Sequence, residues 1–138
     1  MSGYFTESNY ENAVLQLLNE DLGYTYVYGP DVERDYHSPL YEDVLLPSLQ
    51  RINKNLPMDA LTEAIYKLKN FETGTLLQKN MVFMDYLQNG VPVKYYDKGE
   101  ERSTLVYLVD FKNPASNEFT VANQWTFIEN SEKRPDVI

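Results

Sequence analysis

The sequence predicts an α+β fold in which helices come first and a mainly antiparallel sheet follows, becoming mixed α/β when complete. Three observations support this prediction. Apolar residues recur at helical spacing before Gly90, whereas β-branched and aromatic residues dominate after it. The chain has 138 residues, of which 43% are hydrophobic, enough for a core. We therefore expect a single domain over residues 1–138.

Four helices are predicted from apolar spacing and from start and stop signals. Ser8 and Glu11 have the spacing of a capping box, and Gly23 is expected to end the first helix. Ser38–Pro39 has the pattern of a second helix start, and Pro47 should kink or split that helix because proline lacks an N–H. The third helix begins at Pro57.

The fourth helix is predicted over residues 75–88. Periodicity also predicts which side chains face the core. The expected buried faces are Tyr10, Val14, Leu17, Leu18 and Leu22 in the first helix and Leu76, Met81, Met84 and Leu87 in the fourth.

Five strands are predicted, with turns between them. They cover residues 24–28, 91–96, 104–111, 118–128 and 134–138. The strand at 104–111 is nearly continuous in apolar residues, which predicts burial on both faces. Tyr24, Tyr26 and Tyr28 share one strand face, which favours a core edge or an interface over a base-stacking platform.

Composition excludes several kinds of chemistry. The absence of cysteine excludes thiol nucleophiles, thiolate metal sites and disulfides, and His37, the single histidine, is interpreted as an ordinary surface residue. No phosphate-binding glycine loop is present, so ATP is not expected to bind this segment. No signal peptide or run of about 20 apolar residues is found. A soluble, cytoplasmic protein without membrane contact is expected.

The formal net charge of −9 disfavours autonomous DNA binding, because phosphate contacts normally require a basic stripe. Carboxylates remain as candidate functional groups, and hard cations such as Mg²⁺ take oxygen ligands. Asp136 lies in Arg-Pro-Asp at the start of a predicted strand. Taken alone, that tripeptide favours a turn-to-strand junction over a functional site.

The order and spacing of motifs along nearly the whole chain resemble the N-terminal domain of type I restriction enzyme R (restriction) subunits. That family typically has a strand ending in Asp-Phe, an Asn-x-Phe strand, an Asn-Gln pair and then Arg-Pro-Asp. The matching residues are Asp110–Phe111, Asn117–Phe119, Asn123–Gln124 and Arg134–Asp136, preceded by Glu11, Leu22–Tyr24, Ala64–Ile65 and Gly90–Val93.

The resemblance implies a nuclease core of the PD-(D/E)xK type, which hydrolyses DNA phosphodiesters with Mg²⁺. Pro135–Asp136 would supply the PD half, with Asp136 as a catalytic residue and metal ligand. The (D/E)xK half is expected on a later strand, so residues 1–138 would be an N-terminal fragment of the nuclease domain, inactive alone and with an incomplete Mg²⁺ site. The complete protein would translocate along double-stranded DNA with ATP bound outside this segment, together with modification and specificity subunits.

Glu11 is a second candidate catalytic residue, because some nucleases of this superfamily place an additional acid on the first helix. The capping box explains Glu11 without any chemistry and is favoured. Asn123 and Gln124 interrupt an apolar strand, either to contact substrate near the site or, more commonly, to bond neighbouring loops. Two other functions remain open, a stand-alone acidic protein-interaction module and, less favoured because 12 basic residues dilute the 21 acidic ones, a DNA mimic.

Overall fold

A computed structural model describes residues 3–138 of the chain. The α-helices in that range are α1 (Glu7–Gln16), α2 (Glu42–Ile52), α3 (Met58–Lys69) and α4 (Leu76–Asn89). The strands are β1 (Thr25–Tyr28), β2 (Val91–Asp97), β3 (Glu100–Val106), β4 (Thr120–Asn123), β5 (Phe127–Ile128) and β6 (Glu132–Lys133). The predicted α+β class is confirmed.

The strands of residues 3–138 form three two-stranded sheets. The β2–β3 and β5–β6 pairs are antiparallel, in line with the predicted strand direction, whereas β1 and β4 are parallel. Two compact units are present. The first contains the described residues up to Tyr41 together with Phe119–Ile138, and the second is Glu42–Glu118.

The second unit is built on the β2–β3 hairpin, against which α3 packs. Lys98 and Gly99, the two central turn residues, both have positive φ, as the tight turns that join twisted antiparallel strands require. Leu61 on α3, Val91 on β2 and Val106 on β3 are fully buried in its core.

Asn53, which is buried directly after α2, connects that helix to the chain after β3. Its Nδ2 donates to the carbonyl oxygens of Leu49 and Tyr107, and its Oδ1 accepts from the backbone N–H of Tyr107 at 2.9 Å. One side chain thus pairs with both backbone polar groups of Tyr107, and the buried Asn53 amide, which would be costly to leave unpaired, is itself satisfied.

Two helix starts differ from the prediction. Thr6, not Ser8, is the N-cap of α1, because its Oγ1 accepts from the backbone N–H of Asn9. The predicted capping box between Ser8 and Glu11 is therefore wrong, and Ser8 lies inside the helix. The second helix begins at Glu42 and not at Ser38–Pro39.

Pro47 lies inside α2 without splitting it, so that part of the prediction is wrong. Proline removes a single N–H donor, and the hydrogen bonds of the surrounding residues carry the helix across it. Pro57 is the N-cap of α3, close to the predicted start. Gly23 has a positive φ of 75° just after a π-helical turn at Leu17–Asp21 that continues α1, which confirms that the helical segment ends there.

The predicted buried faces of the first and fourth helices are largely wrong. Leu15 is the buried side chain of α1, whereas four of the five predicted side chains are exposed. In α4 no residue is fully buried, and Leu76 is 75% exposed. Helical periodicity identifies an apolar face but does not specify what covers it. The exposed members of the predicted faces are Tyr10, Val14, Leu17, Leu22, Leu76, Met81 and Met84.

The strands after β2 also depart from the prediction. β3 begins at Glu100 and ends at Val106, and Leu105 and Tyr107 are exposed, so burial of both faces is wrong. The strand predicted over residues 118–128 is broken after Asn123 into β4 and β5. The last predicted strand is reduced to a single antiparallel bridge between Asn123 and Val137.

Candidate functional site

The end of β4 and the segment 135–138 form the framework of the candidate site in the first unit. Gln124 donates its backbone N–H to the carbonyl oxygen of Asp136 at 3.0 Å, and Ala122 and Ile138 exchange a pair of hydrogen bonds at 2.9 Å. These backbone hydrogen bonds place Asp136 beside Gln124, although the segment forms only an isolated β-bridge. The Asp136 side chain is exposed.

Glu11 reaches the same place from α1. Its carboxylate accepts from Nδ2 of Asn123 at 3.0 Å and from Nε2 of Gln124, with both carboxylate oxygens at 3.2 Å from that nitrogen. The same Nε2 lies 3.4 Å from Oδ1 of Asp136. The carboxylates of Glu11 and Asp136, from opposite ends of the sequence, therefore converge on one amide group.

Asn123 and Tyr26 support this arrangement from the parallel pair β1–β4. Asn123 is only 8% exposed, and its Oδ1 accepts a hydrogen bond from the Tyr26 hydroxyl at 2.9 Å. With Oδ1 occupied in this way, Nδ2 is left to face Glu11. The sequence predicted that Tyr26 belongs to a core edge or an interface, but not that its hydroxyl donates a hydrogen bond to the site. Strand alternation indicates which face a side chain occupies and gives no information on such a contact.

Gln124 breaks the strand through its backbone conformation. Its φ is 52°, in the left-handed region that residues other than glycine rarely adopt. Gly29 packs directly against this turn, and a Cβ at Gly29 would lie 2.5 Å from the carbonyl oxygen of Asn123 and 2.6 Å from that of Gln124. Position 29 therefore requires glycine, because any side chain would displace the backbone that carries both amides.

An aromatic and cationic cluster surrounds the buried Trp125, which directly follows Gln124 in sequence. The guanidinium of Arg34 lies 3.8 Å from the ring centroid of Trp125 and 4.8 Å from that of Tyr36, and it donates a hydrogen bond to the carbonyl oxygen of Thr126. Desolvation lowers the pKa of Arg34, and Tyr36 and Asp35 oppose that shift. Trp125 is 4% exposed and also contacts Tyr41. This packing anchors Trp125, which immediately follows Gln124 in the connection between β4 and β5.

His37 lies apart from these contacts and is exposed, as expected of a surface residue. Its Nδ1 pairs with Oδ1 of Asp35 at 3.2 Å. An exposed pair of this kind contributes little to stability.

The converging carboxylates can be compared with the needs of a metal ion. Among residues 3–138 no three acidic or histidine side chains cluster as a metal-binding group. Mg²⁺, however, is commonly held by one or two carboxylates, with water and substrate phosphate completing the octahedron. Two carboxylates that share one amide donor, one of them exposed, fit that partial ligand set. Glu11 and Asp136 are thus the residues that would hold the ion.

The family model for the N terminus of the type I restriction enzyme R protein matches residues 4–138. The chain belongs to this family. The family was predicted from the order of motifs that includes Asn123–Gln124 and Arg134–Asp136, and that prediction is confirmed.

Two relatives of this R-protein N-terminal chain are named as endonuclease subunits of type I restriction enzymes. One, of the enzyme MjaIXP from Methanocaldococcus jannaschii, is 30% identical over 93% of this chain and 13% of its own length. The other, of the enzyme HindI from Haemophilus influenzae, is 29% identical over 86% of this chain and 12% of its own length. The chain therefore spans about one eighth of these relatives. No solved structure matches it significantly.

Within residues 3–138, no helix combines the length and the apolar character that are needed to cross a membrane.

Proposed function

We propose that this chain is the N-terminal part of the nuclease domain of a type I restriction R subunit. In that subunit Glu11 and Asp136 would jointly hold the Mg²⁺ that supports DNA cleavage. One observation carries this proposal, namely that both carboxylates meet at the side-chain amide of Gln124. The family membership supports it, since the two relatives are named as endonuclease subunits.

The convergence also bears on the alternative role of Glu11. The capping box that would have explained Glu11 is absent, because Thr6 caps α1. The Glu11 carboxylate instead bonds two amides on and beside β4. Neighbouring carboxylates repel each other unless a donor or a cation lies between them. A cation bound by Glu11 and Asp136 would offset the repulsion between their carboxylates, which favours the catalytic interpretation of Glu11.

Each residue would have a defined task. Asp136, on the exposed side, would contact the ion, and Glu11 would approach it from the helix. Asn123, held by Tyr26, would keep the Glu11 carboxylate in place. When bound, Mg²⁺ supplies an activated water and stabilises the charge that develops on the phosphate.

Other functional parts of the intact restriction enzyme would lie outside residues 1–138. The (D/E)xK half of the motif, with a further carboxylate and the lysine, is proposed on a later strand of the intact subunit, so residues 1–138 alone would be inactive. ATP would bind elsewhere in the subunit and drive translocation. Modification and specificity subunits would deliver the domain to DNA, which would explain how a segment with a net charge of −9 acts on a polyanion.

Asp136→Asn in the intact, assembled enzyme tests the proposal. The substitution preserves shape and removes the charge, so DNA cleavage should fall at least about 100-fold, the effect of losing a few kcal/mol of transition-state stabilisation. ATP hydrolysis should persist, because this chain contains no phosphate-binding glycine loop. Plasmid cleavage and ATPase rates measure the two activities.

Glu132→Gln on the exposed strand β6 is the control and should leave both activities unchanged. Retained cleavage in Asp136→Asn would overturn the nuclease assignment of Asp136. If the Asp136→Asn variant kept every activity of the wild-type enzyme, the stand-alone interaction module would become the better interpretation of the domain.

A further inference from the structure

The side chain of Gln124 contacts both candidate acids, and no part of the proposed mechanism yet uses it. Its Nε2 lies 3.2 Å from both carboxylate oxygens of Glu11 and 3.4 Å from Oδ1 of Asp136. We propose that Gln124 is a positioning residue that holds the two carboxylates together in the metal-free site, ready for a divalent cation. This inference rests on the proposed function, because it concerns the same pair of acids.

The hydrogen-bond chemistry determines which end of the amide faces the acids. A carboxylate only accepts hydrogen bonds, so the group between Glu11 and Asp136 must be a donor. An amide NH₂ has two hydrogens, one for each carboxylate. In this arrangement the amide offsets the repulsion between the two acids and keeps them close to each other while no cation is bound.

The backbone of Gln124 restricts where its side chain can lie. The φ of Gln124 is 52°, and β4 ends just before this residue. Its backbone N–H donates to the carbonyl oxygen of Asp136, and Gly29 packs against the carbonyl of Gln124. The main-chain hydrogen bond and the side-chain contact therefore join Gln124 to the same residue, Asp136. An unfavourable conformation that several contacts enforce is typical of functional sites.

Asn123 has a different role, although it is the adjacent amide. Its Oδ1 is engaged by the Tyr26 hydroxyl, and its Nδ2 donates to Glu11. Asn123 therefore orients one acid from a buried position, whereas Gln124 bridges both. This difference makes Gln124 the residue on which the spacing between the acids depends.

Two variants of the intact R subunit test the inference without straining the backbone. Gln124→Gly removes the amide and tolerates positive φ, and Gln124→Asn keeps an amide that is one methylene too short and also tolerates that region. Manganese titration calorimetry on DNA-free, nucleotide-free subunit measures binding to the site, defined as the binding that Asp136→Asn removes. The Mg²⁺ dependence of plasmid cleavage by the assembled enzyme is the second measurement.

We expect both variants to weaken Mn²⁺ binding about 10- to 100-fold, as is typical when a residue supporting metal ligands is lost. The half-saturating Mg²⁺ concentration for cleavage should rise to a similar extent, and saturating Mg²⁺ should restore most of the rate. Glu132→Gln should behave as wild type in both measurements.

Unchanged Mn²⁺ affinity in both variants would overturn the inference. Cleavage lost at every Mg²⁺ concentration, with Mn²⁺ binding intact, would also overturn it, since Gln124 would then act on DNA or on the reacting atoms. Failure of the proposed function can be distinguished from failure of this inference, because in the former case Asp136→Asn would leave DNA cleavage intact. A dependence of Mn²⁺ binding on Gln124 would still support positioning in that case.

Discussion

Glu11→Gln is expected to reduce DNA cleavage by the assembled enzyme at least about 100-fold, as for the loss of a charged group that helps to hold a catalytic metal ion. Glutamine keeps the length of the side chain and one acceptor oxygen, so α1 should remain intact. The variant loses a negative charge at the point where Asp136 and Gln124 meet. ATP hydrolysis should be unaffected, and plasmid cleavage at several Mg²⁺ concentrations is the measurement.

Glu7→Gln is the matched control, because Glu7 lies in the first turn of the same helix and is exposed. It should alter stability by no more than about 1 kcal/mol through the helix dipole, without affecting cleavage. The double variant Glu11→Gln/Asp136→Asn should be little worse than either single variant, because residues that act as a unit are non-additive. Independent, multiplying effects would argue against a shared ion.

Trp125→Ala is expected to destabilise the first unit by about 3–5 kcal/mol, the usual cost of removing a large buried aromatic side chain. The ring is 4% exposed, contacts Tyr41 and lies under the guanidinium of Arg34. Removal of the Trp125 ring leaves a cavity. It also exposes the partly desolvated guanidinium of Arg34, which the ring covers in the wild-type protein. Urea unfolding followed by far-UV circular dichroism measures the change.

Trp125→Phe should cost clearly less than alanine, because a ring remains. The indole Nε1 is buried without a hydrogen-bond partner among residues 3–138, so phenylalanine breaks no hydrogen bond there. Phe111→Ala, at a site that is 66% exposed, is the surface control and should change stability by no more than about 0.5 kcal/mol. A cost for Trp125→Ala as small as that of the control would contradict the packing role.

Several features of this protein could be predicted from short segments of sequence. The α+β class, the end of the first helical segment at Gly23 and the presence of a turn between β2 and β3 depend on local periodicity and on residues that tolerate positive φ. The family could also be recognised, because ordered motifs such as Asn123–Gln124 and Arg134–Asp136 are properties of the chain itself. These features need no knowledge of which distant segments meet.

Burial and the composition of the site were decided by tertiary structure. Periodicity identified an apolar face on α4, but Leu76 and Met81 on that face lie exposed. Thr6 caps α1 by accepting a hydrogen bond from the backbone N–H of Asn9, so Glu11 has no capping role, and only the folded chain brought Glu11 to Gln124.

The sequence by itself therefore determined the class of fold, the family and the candidacy of Asp136. The tertiary structure alone decided that Glu11 and Asp136 both contact the side-chain amide of Gln124. The physical reason is that turns, and a glycine that ends a helix, depend on interactions within a few residues of the chain. The meeting of two acids from opposite ends of the chain depends instead on long-range backbone pairing, here between β1 and β4 and between β4 and the segment 135–138.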